Sequence, residues 1–308
     1  MKFSIAIHGG AGTLVKGMMT PEMESDYKAA LEKALNAGYD ALVNGKSAVD
    51  AVEIAVKLLE DSPLFNAGKG SVFTSDETHE MDASIMEGKT RSAGAVSLVT
   101  GIKNPIGLAR DVMEKSDHVL LAGEGAMRFA ELNGYTLEPD SYFFDKLRHN
   151  QWLAIKDTDS FKLDHSASKD SKFGTVGAVA CDKYGNVAAA TSTGGMTNKR
   201  MGRIGDSPMI GAGNYANNET CAVSCTGSGE YFIRGVVAYD VSCLVEHKGY
   251  TLAQAADEVI YKRVLRIGGD GGLIAVNAKG DIAMPFNTEG MYRACRDSEG
   301  KKEVLIYK

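Results

Sequence analysis

The sequence predicts an α+β protein in which two sheets lie between helical layers, and three observations carry that prediction. A short apolar strand opens the chain, and helical apolar spacing dominates from there to about residue 132. From residue 175 onward, hairpins and helices come in separate runs. Strands and helices alternate poorly, which argues against a doubly wound parallel sheet. At 308 residues, with 44% hydrophobic and 24% charged residues, the chain is long enough to bury a sizeable core.

Residues 2–7 read as a buried strand ending in the glycine turn His8-Gly9-Gly10-Ala11-Gly12. A helix follows from about Pro21 to Asn44, with Met23, Tyr27, Ala30, Leu31, Ala34, Leu35 and Leu42 on one face. Gly45 stops it. Ser47 caps the next helix with Asp50 as capping-box partner, and residues 48–59 form its body. Asn104-Pro105 opens a helix through Met113, with proline where a missing N–H costs nothing. Residues 123–132 read as a further helix. Residues 175–181 and 187–193 are strands joined by the turn Asp182-Lys183-Tyr184-Gly185-Asn186. Residues 273–276 and 282–285 make a second hairpin, and helices are expected over 231–247 and 252–265.

A formal net charge of -6, without a Lys/Arg cluster, argues against a nucleic-acid partner. The apolar runs are too short to span a bilayer, and residues 1–8 do not read as a signal peptide. Cys181, Cys221, Cys225, Cys243 and Cys295 are odd in number. Cys221 and Cys225 lack a second ligand pair, so zinc is not expected. Reduced thiols in a cytoplasmic protein are the expectation.

The most informative segment is KDTDSFKLDHSASKDSKF, residues 156–173, which runs straight into Gly174-Thr175-Val176-Gly177-Ala178-Val179-Ala180. So polar a stretch cannot offset its ordering entropy and is expected as a linker loop. Small and β-branched residues then begin at once. A cut before Thr175 would leave a threonine whose free α-amine lies beside its own hydroxyl, a nucleophile that carries its own base. That amine titrates near pH 7.7–8.0 in model peptides, so it accepts a proton at working pH. No histidine has a triad-like context.

Two more threonine-bearing glycine segments accompany it, Thr191-Ser192-Thr193-Gly194-Gly195 and Cys225-Thr226-Gly227-Ser228-Gly229. The hairpin brings Thr193 beside Thr175, and Thr226-Gly227 offers a hydroxyl and an N–H for an oxyanion. The alternative is that such Thr-Gly pairs are ordinary turn chemistry. Between them, Arg203 and Asp206 sit on a glycine-hinged loop. They suit the carboxylate and ammonium of an amino acid; a surface salt bridge is the alternative.

GTVGAVA, ATSTGGMTNK, GRIGDSP, GAGNYANN and SCTGSGE, together with HGGAG, GKSAVDAVE, SPLFNAGKGSVF, EMDASIM, AGAV, GGDGGLIAV and FNTEGMYRA, resemble the plant-type (bacterial type III) L-asparaginases with isoaspartyl peptidase activity, which are N-terminal-nucleophile hydrolases. The likeness covers nearly the whole chain outside residues 133–173. It implies a four-layer αββα sandwich, a single domain over 1–308 made as a precursor that cuts itself between Gly174 and Thr175. The products would be an α subunit (1–174) and a β subunit (175–308), paired as (αβ)2.

The same resemblance implies a role for each site residue. Thr175 would be the nucleophile, Thr193 its hydroxyl support, and Thr226 and Gly227 the oxyanion hole. Arg203 would hold the substrate carboxylate, Asp206 and the Gly229 carbonyl its amine, and Asn66 would support the site. No cofactor is implied for catalysis. A structural sodium ion is implied on the backbone carbonyls of Leu59, Glu60, Ser62, Phe65, Ala67 and Lys69, a plain structural loop being the alternative. The substrates would be asparagine and isoaspartyl dipeptides, passing through a β-aspartyl ester on Thr175. A glycosylasparaginase-type amidase is a competing reading, although this chain has Phe-Gly-Thr-Val-Gly where those enzymes carry His-Asp-Thr-Ile-Gly. A non-catalytic amino-acid-binding homologue is another, and it would be expected to lose one of the three threonines. A protein-processing endopeptidase of the taspase type lacks its long insertion here, and no glycine cluster fits a nucleotide fingerprint.

Overall fold

The computed structural model describes residues 2–157 and 174–308; the linker expected at 156–173 lies outside the described residues from 158 onward. In chain order the first elements are β1 (Ser4–Gly12), α1 (Pro21–Val43), α2 (Ala48–Glu60), β2 (Met81–Glu87), β3 (Ala93–Val99), α3 (Pro105–Lys115), β4 (Leu120–Ala122), α4 (Gly123–Leu132), α5 (Asp140–Phe143) and α6 (Lys146–Leu153). After Thr175 come β5 (Val176–Cys181), β6 (Val187–Thr193), β7 (Asn214–Ala216), β8 (Ala222–Gly227), α7 (Gly229–Gly235), α8 (Val237–Lys248), α9 (Leu252–Glu258), β9 (Gly271–Val276), β10 (Ile282–Ala283), β11 (Gly290–Asp297) and β12 (Lys302–Tyr307).

Local chemistry sets the helix starts as the sequence predicts. The Thr20 hydroxyl accepts from Met23 N, with Pro21 at the first helical position of α1. Ser47 and Asp50 form a reciprocal capping box on α2. Each cap satisfies N–H groups that would otherwise be orphaned, worth about 1 kcal/mol.

Among the described residues, one sheet has eight strands in the order β12-β11-β1-β5-β6-β2-β3-β4, and a second has four, β10-β9-β8-β7. All neighbours are antiparallel except β3 and β4. Helices α1, α2 and α3 pack on the eight-stranded sheet, strands β8 and β9 pack against β1 and β5, and α8 and α9 pack on the four-stranded sheet. The period-2 alternation of the strands explains how both faces are covered. Ile5, Ile7, Ala178 and Ala180 join a core with Leu31, Leu35 and Val52 of α1 and α2. Ala6, Val179 and Cys181 join a second core with Val223, Leu273, Val241 and Ala255. Burying each large aliphatic side chain stabilises by about 1.5–3 kcal/mol. Strands buried on both faces read as continuous apolar runs, which is how β5 appears in the sequence.

The strand order mixes the two halves of the chain. β1, from the first half, is flanked by β11 and β5 from the second half, and β6 pairs with β2. The two halves are interlaced.

Several expectations need correction. β1 does not end at Ile7; it runs on through the glycines to Gly12, with a bulge between His8 and Gly10 against β11. The helix expected over 231–247 breaks at Val236, whose φ is 47°. The freed N–H groups of Ala238 and Tyr239 donate to the Ala212 and Gly211 carbonyls, so a tertiary contact replaces the helical bond. The helix expected over 252–265 becomes a π-type turn at Val259–Val264, and β10 stops at Ala283.

Candidate active site

Five segments of the chain meet at the open ends of β5, β6 and β8. Val176 pairs with Ser192, which sets Thr175 and Thr193 side by side just beyond and at the ends of their strands. A cavity of about 580 Å³ opens there, lined by Asn66, Gly174, Thr175, Thr193, Arg203, Asp206 and Gly227 among others. Thr226 lies behind this wall, fully buried, and accepts a hydrogen bond from Ala11 N at 3.3 Å. A Cβ placed on Gly174 would stand 3.0 Å from the Thr226 hydroxyl, so the residue before Thr175 rests against it.

Thr175 is almost fully buried, with 6% of its surface exposed. Its hydroxyl is hydrogen-bonded with Ser207 Oγ at 3.2 Å, and its carbonyl accepts from His8 Nδ1 at 3.0 Å. Neither partner stands out in the sequence. His8 is fully buried, and burial pushes its pKa down to about 3, so the ring is neutral. Thr193 Oγ1 accepts from Gly195 N at 3.0 Å across its own turn, a bond that does not use its O–H proton; the hydrogen bond of the Thr175 hydroxyl runs to Ser207, not to Thr193. Asn66 holds that turn from outside: its Nδ2 donates to the Gly195 carbonyl at 2.7 Å, while its Oδ1 accepts from Val72 N at 3.1 Å. Gly194 is a glycine for want of space, since a Cβ would lie 2.5 Å from Asn66 Oδ1.

Opposite the threonines, Arg203 and Asp206 do not form a surface salt bridge. Asp206 is buried, and desolvation raises its pKa to about 7 against the opposing pull of Arg203. Its Oδ2 has no hydrogen-bond partner among the described residues. Arg203 is instead gripped by Glu230, through Nε to Oε1 at 2.8 Å and Nη2 to Oε2 at 3.0 Å. Glu230 sits in α7, one residue past Gly229. A Cβ on Gly229 would lie 2.9 Å from both Arg203 Nη2 and Asp206 Oδ1, so the charged pair converges on that glycine. The sequence carries a signal for Glu230 only as the last letter of SCTGSGE.

The loop after α2 carries Asn66 to the site through a tight turn. Gly68 has φ +53° and packs on the Glu60 carbonyl, and a Cβ on Gly70 would overlap the Phe65 and Pro63 carbonyl oxygens. Leu59, Phe65 and Ala67 carbonyls accept from Ser62, Ala67 and Gly70 N–H groups respectively. Among the described residues no cluster of His, Cys, Asp or Glu is suited to a metal, so a cation here would rest on backbone oxygens. Beneath the loop, Glu60 is fully buried with a pKa raised to about 8 by desolvation, and it accepts from Ser192 Oγ and Ile106 N.

Comparison with known proteins gives the same direction. Residues 1–306 match the model of the Asparaginase family. The chain is 52% identical to the isoaspartyl peptidase of Escherichia coli, over 95% of this chain and 92% of that protein. It is 44% identical to the isoaspartyl peptidase/L-asparaginase of Xenopus laevis, over 97% of this chain and 94% of that protein. It is also 44% identical to the plant-type L-asparaginase of Pyrococcus horikoshii, over 98% and 99% of the two chains. Matched from end to end by the family model and by relatives at these identities, the chain belongs to the Asparaginase family.

Proposed function

We propose that this protein hydrolyses the side-chain amide of L-asparagine and the β-linkage of isoaspartyl dipeptides, using Thr175 as a self-exposed N-terminal nucleophile. One observation carries the reading: Thr175, preceded by Gly174 at the open end of β5, lines the same cavity as the Arg203 and Asp206 side chains. The names of the relatives agree with both activities. The layers are those of an αββα sandwich, a single domain over 1–308 cut into 1–174 and 175–308. The interlaced strand order supports fragments that stay together, and (αβ)2 is the proposed assembly. No helix among the described residues is long and apolar enough to cross a membrane. The five free thiols support a cytoplasmic location, which fractionation of the source cells tests.

The chemistry follows from the residues. In the precursor, Thr175 Oγ1 attacks the Gly174 carbonyl carbon, its proton passes to the Thr175 nitrogen as the peptide C–N bond breaks, and water hydrolyses the resulting ester to leave the Gly174 carboxylate and the restored hydroxyl. The freed amine then takes the Oγ1 proton while Oγ1 bonds to the side-chain carbonyl carbon of the substrate. Once the cut frees Gly174 from the Thr226 hydroxyl it covers, that hydroxyl and Gly227 N–H take up charge on the carbonyl oxygen. The carbon–nitrogen bond breaks, and the proton passes to the leaving nitrogen as ammonia or an amino acid departs. Water adds to the β-aspartyl ester, the bond to Oγ1 breaks, and aspartate is released. Arg203 holds the α-carboxylate; Asp206 and the Gly229 carbonyl hold the α-ammonium. Thr193 supports the nucleophile, itself held by the Asn66-braced turn.

A sodium ion on the carbonyls of Leu59, Glu60, Ser62, Phe65, Ala67 and Lys69 would order the loop that carries Asn66. The oxygen-crowded turn at Gly68 and Gly70 fits a hard cation.

Denaturing mass spectrometry tests the central claim. Wild-type protein is expected as two fragments divided between Gly174 and Thr175, and Thr175→Ala as one intact, inactive chain. A cut Thr175→Ala protein would refute the mechanism.

A further inference from the structure

Thr175 lies outside the ladders that hold β5. The β5–β6 register begins at Val176, and the β1–β5 register ends with His8 opposite Gly177. Once the Gly174–Thr175 bond is cut, nothing on the N-terminal side restrains the nucleophile. Its carbonyl is held by a side chain, His8 Nδ1, at 3.0 Å.

A carbonyl only accepts, so Nδ1 carries the ring proton and Nε2 is left as the acceptor. Ser224 Oγ, 2.9 Å away on the other sheet, therefore donates to Nε2. Ser224 in turn accepts from Thr191 Oγ1 at 2.7 Å, and Thr191 accepts from Asn214 Nδ2 at 3.2 Å. Thr191 Oγ1 also lies 3.3 Å from the Gly213 carbonyl, and Asn214 Nδ2 gives its other proton to the Ser84 carbonyl; along the shorter Thr191–Ser224–His8 path the donors run toward Thr175. His8, Thr191, Asn214 and Ser224 are all fully buried, where hydrogen bonds in series reinforce one another and water does not compete.

Gly177 supplies an independent sign that this bridge is built in. Its φ is not in the left-handed region, so its backbone does not require glycine. Space does. A Cβ there would lie 2.1 Å from Ser224 Oγ and 2.4 Å from His8 Nε2. The second glycine of GTVGAVA is the gap through which the His8–Ser224 bond passes.

We propose that His8 is a positioning residue for Thr175: its Nδ1–H fixes the carbonyl of the terminal residue, and the Ser224–Thr191–Asn214 chain fixes the tautomer that makes this possible. The proposal rests on the reading of Thr175 as nucleophile. His8 is not a proton carrier, because both ring nitrogens are engaged and the ring stays neutral.

Three variants test it, each assayed beside the wild type for self-cleavage by mass spectrometry and for kcat and KM on a β-aspartyl dipeptide. His8→Leu keeps bulk and loses the donor. His8→Asn keeps an N–H where Nδ1 stands. Ser224→Ala keeps the ring and releases Nε2. His8→Leu is expected to slow cleavage and lower kcat by about 100-fold, the scale of an ångström's misplacement, while KM stays near wild type because Arg203 and Asp206 are untouched. His8→Asn should recover most of that loss. Ser224→Ala should lower kcat about tenfold, the scale of one buried hydrogen bond. The acid limb of the kcat–pH profile should not move in any of them.

Wild-type kcat and cleavage in a folded His8→Leu protein would overturn the proposal. So would equal damage in His8→Asn and His8→Leu, which signals packing alone, or a displaced acid limb, which signals a titrating histidine. Should His8→Leu not fold, Ser224→Ala decides, and an unchanged kcat there overturns it. A wild type inert toward β-aspartyl dipeptides faults the proposed function instead; cleavage half-times of the variants then still decide the role of His8.

Discussion

Asp206 is a carboxyl buried without a counter-ion of its own, and Asp206→Asn measures what that burial costs. Desolvation lifts its pKa from the ordinary 3.8 to about 7. Below pH 3.8 both folded and unfolded chains hold the proton, and the carboxyl contributes no pH dependence. Between that value and about 7 only the unfolded chain ionises, so folding stability falls as pH rises. Above the folded pKa the loss is complete. A span of roughly three pKa units corresponds to about 4 kcal/mol, of which about 3 kcal/mol accumulates between pH 5 and pH 8. The asparagine variant has no such term. Urea unfolding of Asp206→Asn against its parent, both in the uncut Thr175→Ala background so that unfolding is unimolecular, should therefore show a stability gap that widens by about 3 kcal/mol from pH 5 to pH 8, in favour of the variant. In the cleavable protein the same substitution should raise KM steeply, since an amide cannot neutralise an ammonium. A gap that stays flat across this pH range would refute the assignment of Asp206 as a desolvated carboxylate awaiting a cation.

Other outcomes follow from neighbouring contacts. Glu230→Gln weakens the fork that holds Arg203 and should raise KM about tenfold with little change in kcat, because a bidentate ion pair is reduced to a guanidinium facing one amide oxygen; initial rates over a range of asparagine concentrations check it. Gly177→Ala forces Ser224 Oγ off His8 and leaves a buried acceptor unpaired, so a loss of about 2–4 kcal/mol in urea unfolding is expected along with slower self-cleavage. Melting curves in sodium chloride against choline chloride should show a higher midpoint in sodium if the Leu59–Lys69 carbonyls hold that ion, by the mass action of a ligand that binds only the folded chain.

What the sequence makes legible divides by range. Helix caps at Ser47 and the turn at Asp182–Asn186 rest on residues a few positions apart, and local chemistry announces them. The Thr175–Thr193 neighbourhood is readable because one hairpin connects the two. β2 is not, although Met81, Ala83 and Ile85 alternate with Asp82 and Ser84, because those polar residues look solvent-facing. They are buried: Ser84 Oγ donates to the Ser207 carbonyl across 123 residues, and Asp82 Oδ1 accepts from Leu98 N. His8 carries no local signal for the same reason, its partners being 167 and 216 positions away. The break at Val236 is marked locally only by Gly235, a single glycine that a helical pattern tolerates, and the partners that take up the freed N–H groups, the Ala212 and Gly211 carbonyls, lie more than twenty positions away. Glu230 is invisible as a partner of Arg203 until the loop and α7 are folded against one another.

The interlacing of the strands would make the proposed maturation a ratchet. While the chain is continuous, β1 and β5 belong to one molecule, and their meeting is an intramolecular event helped by a high effective concentration. Once residue 174 is severed from residue 175, the same sheet can be rebuilt only by two separate polypeptides finding each other, with β1 threading back between β11 and β5. The cut enzyme would therefore hold its shape by the height of its unfolding barrier and, after denaturation, return far less readily than the uncut chain that produced it.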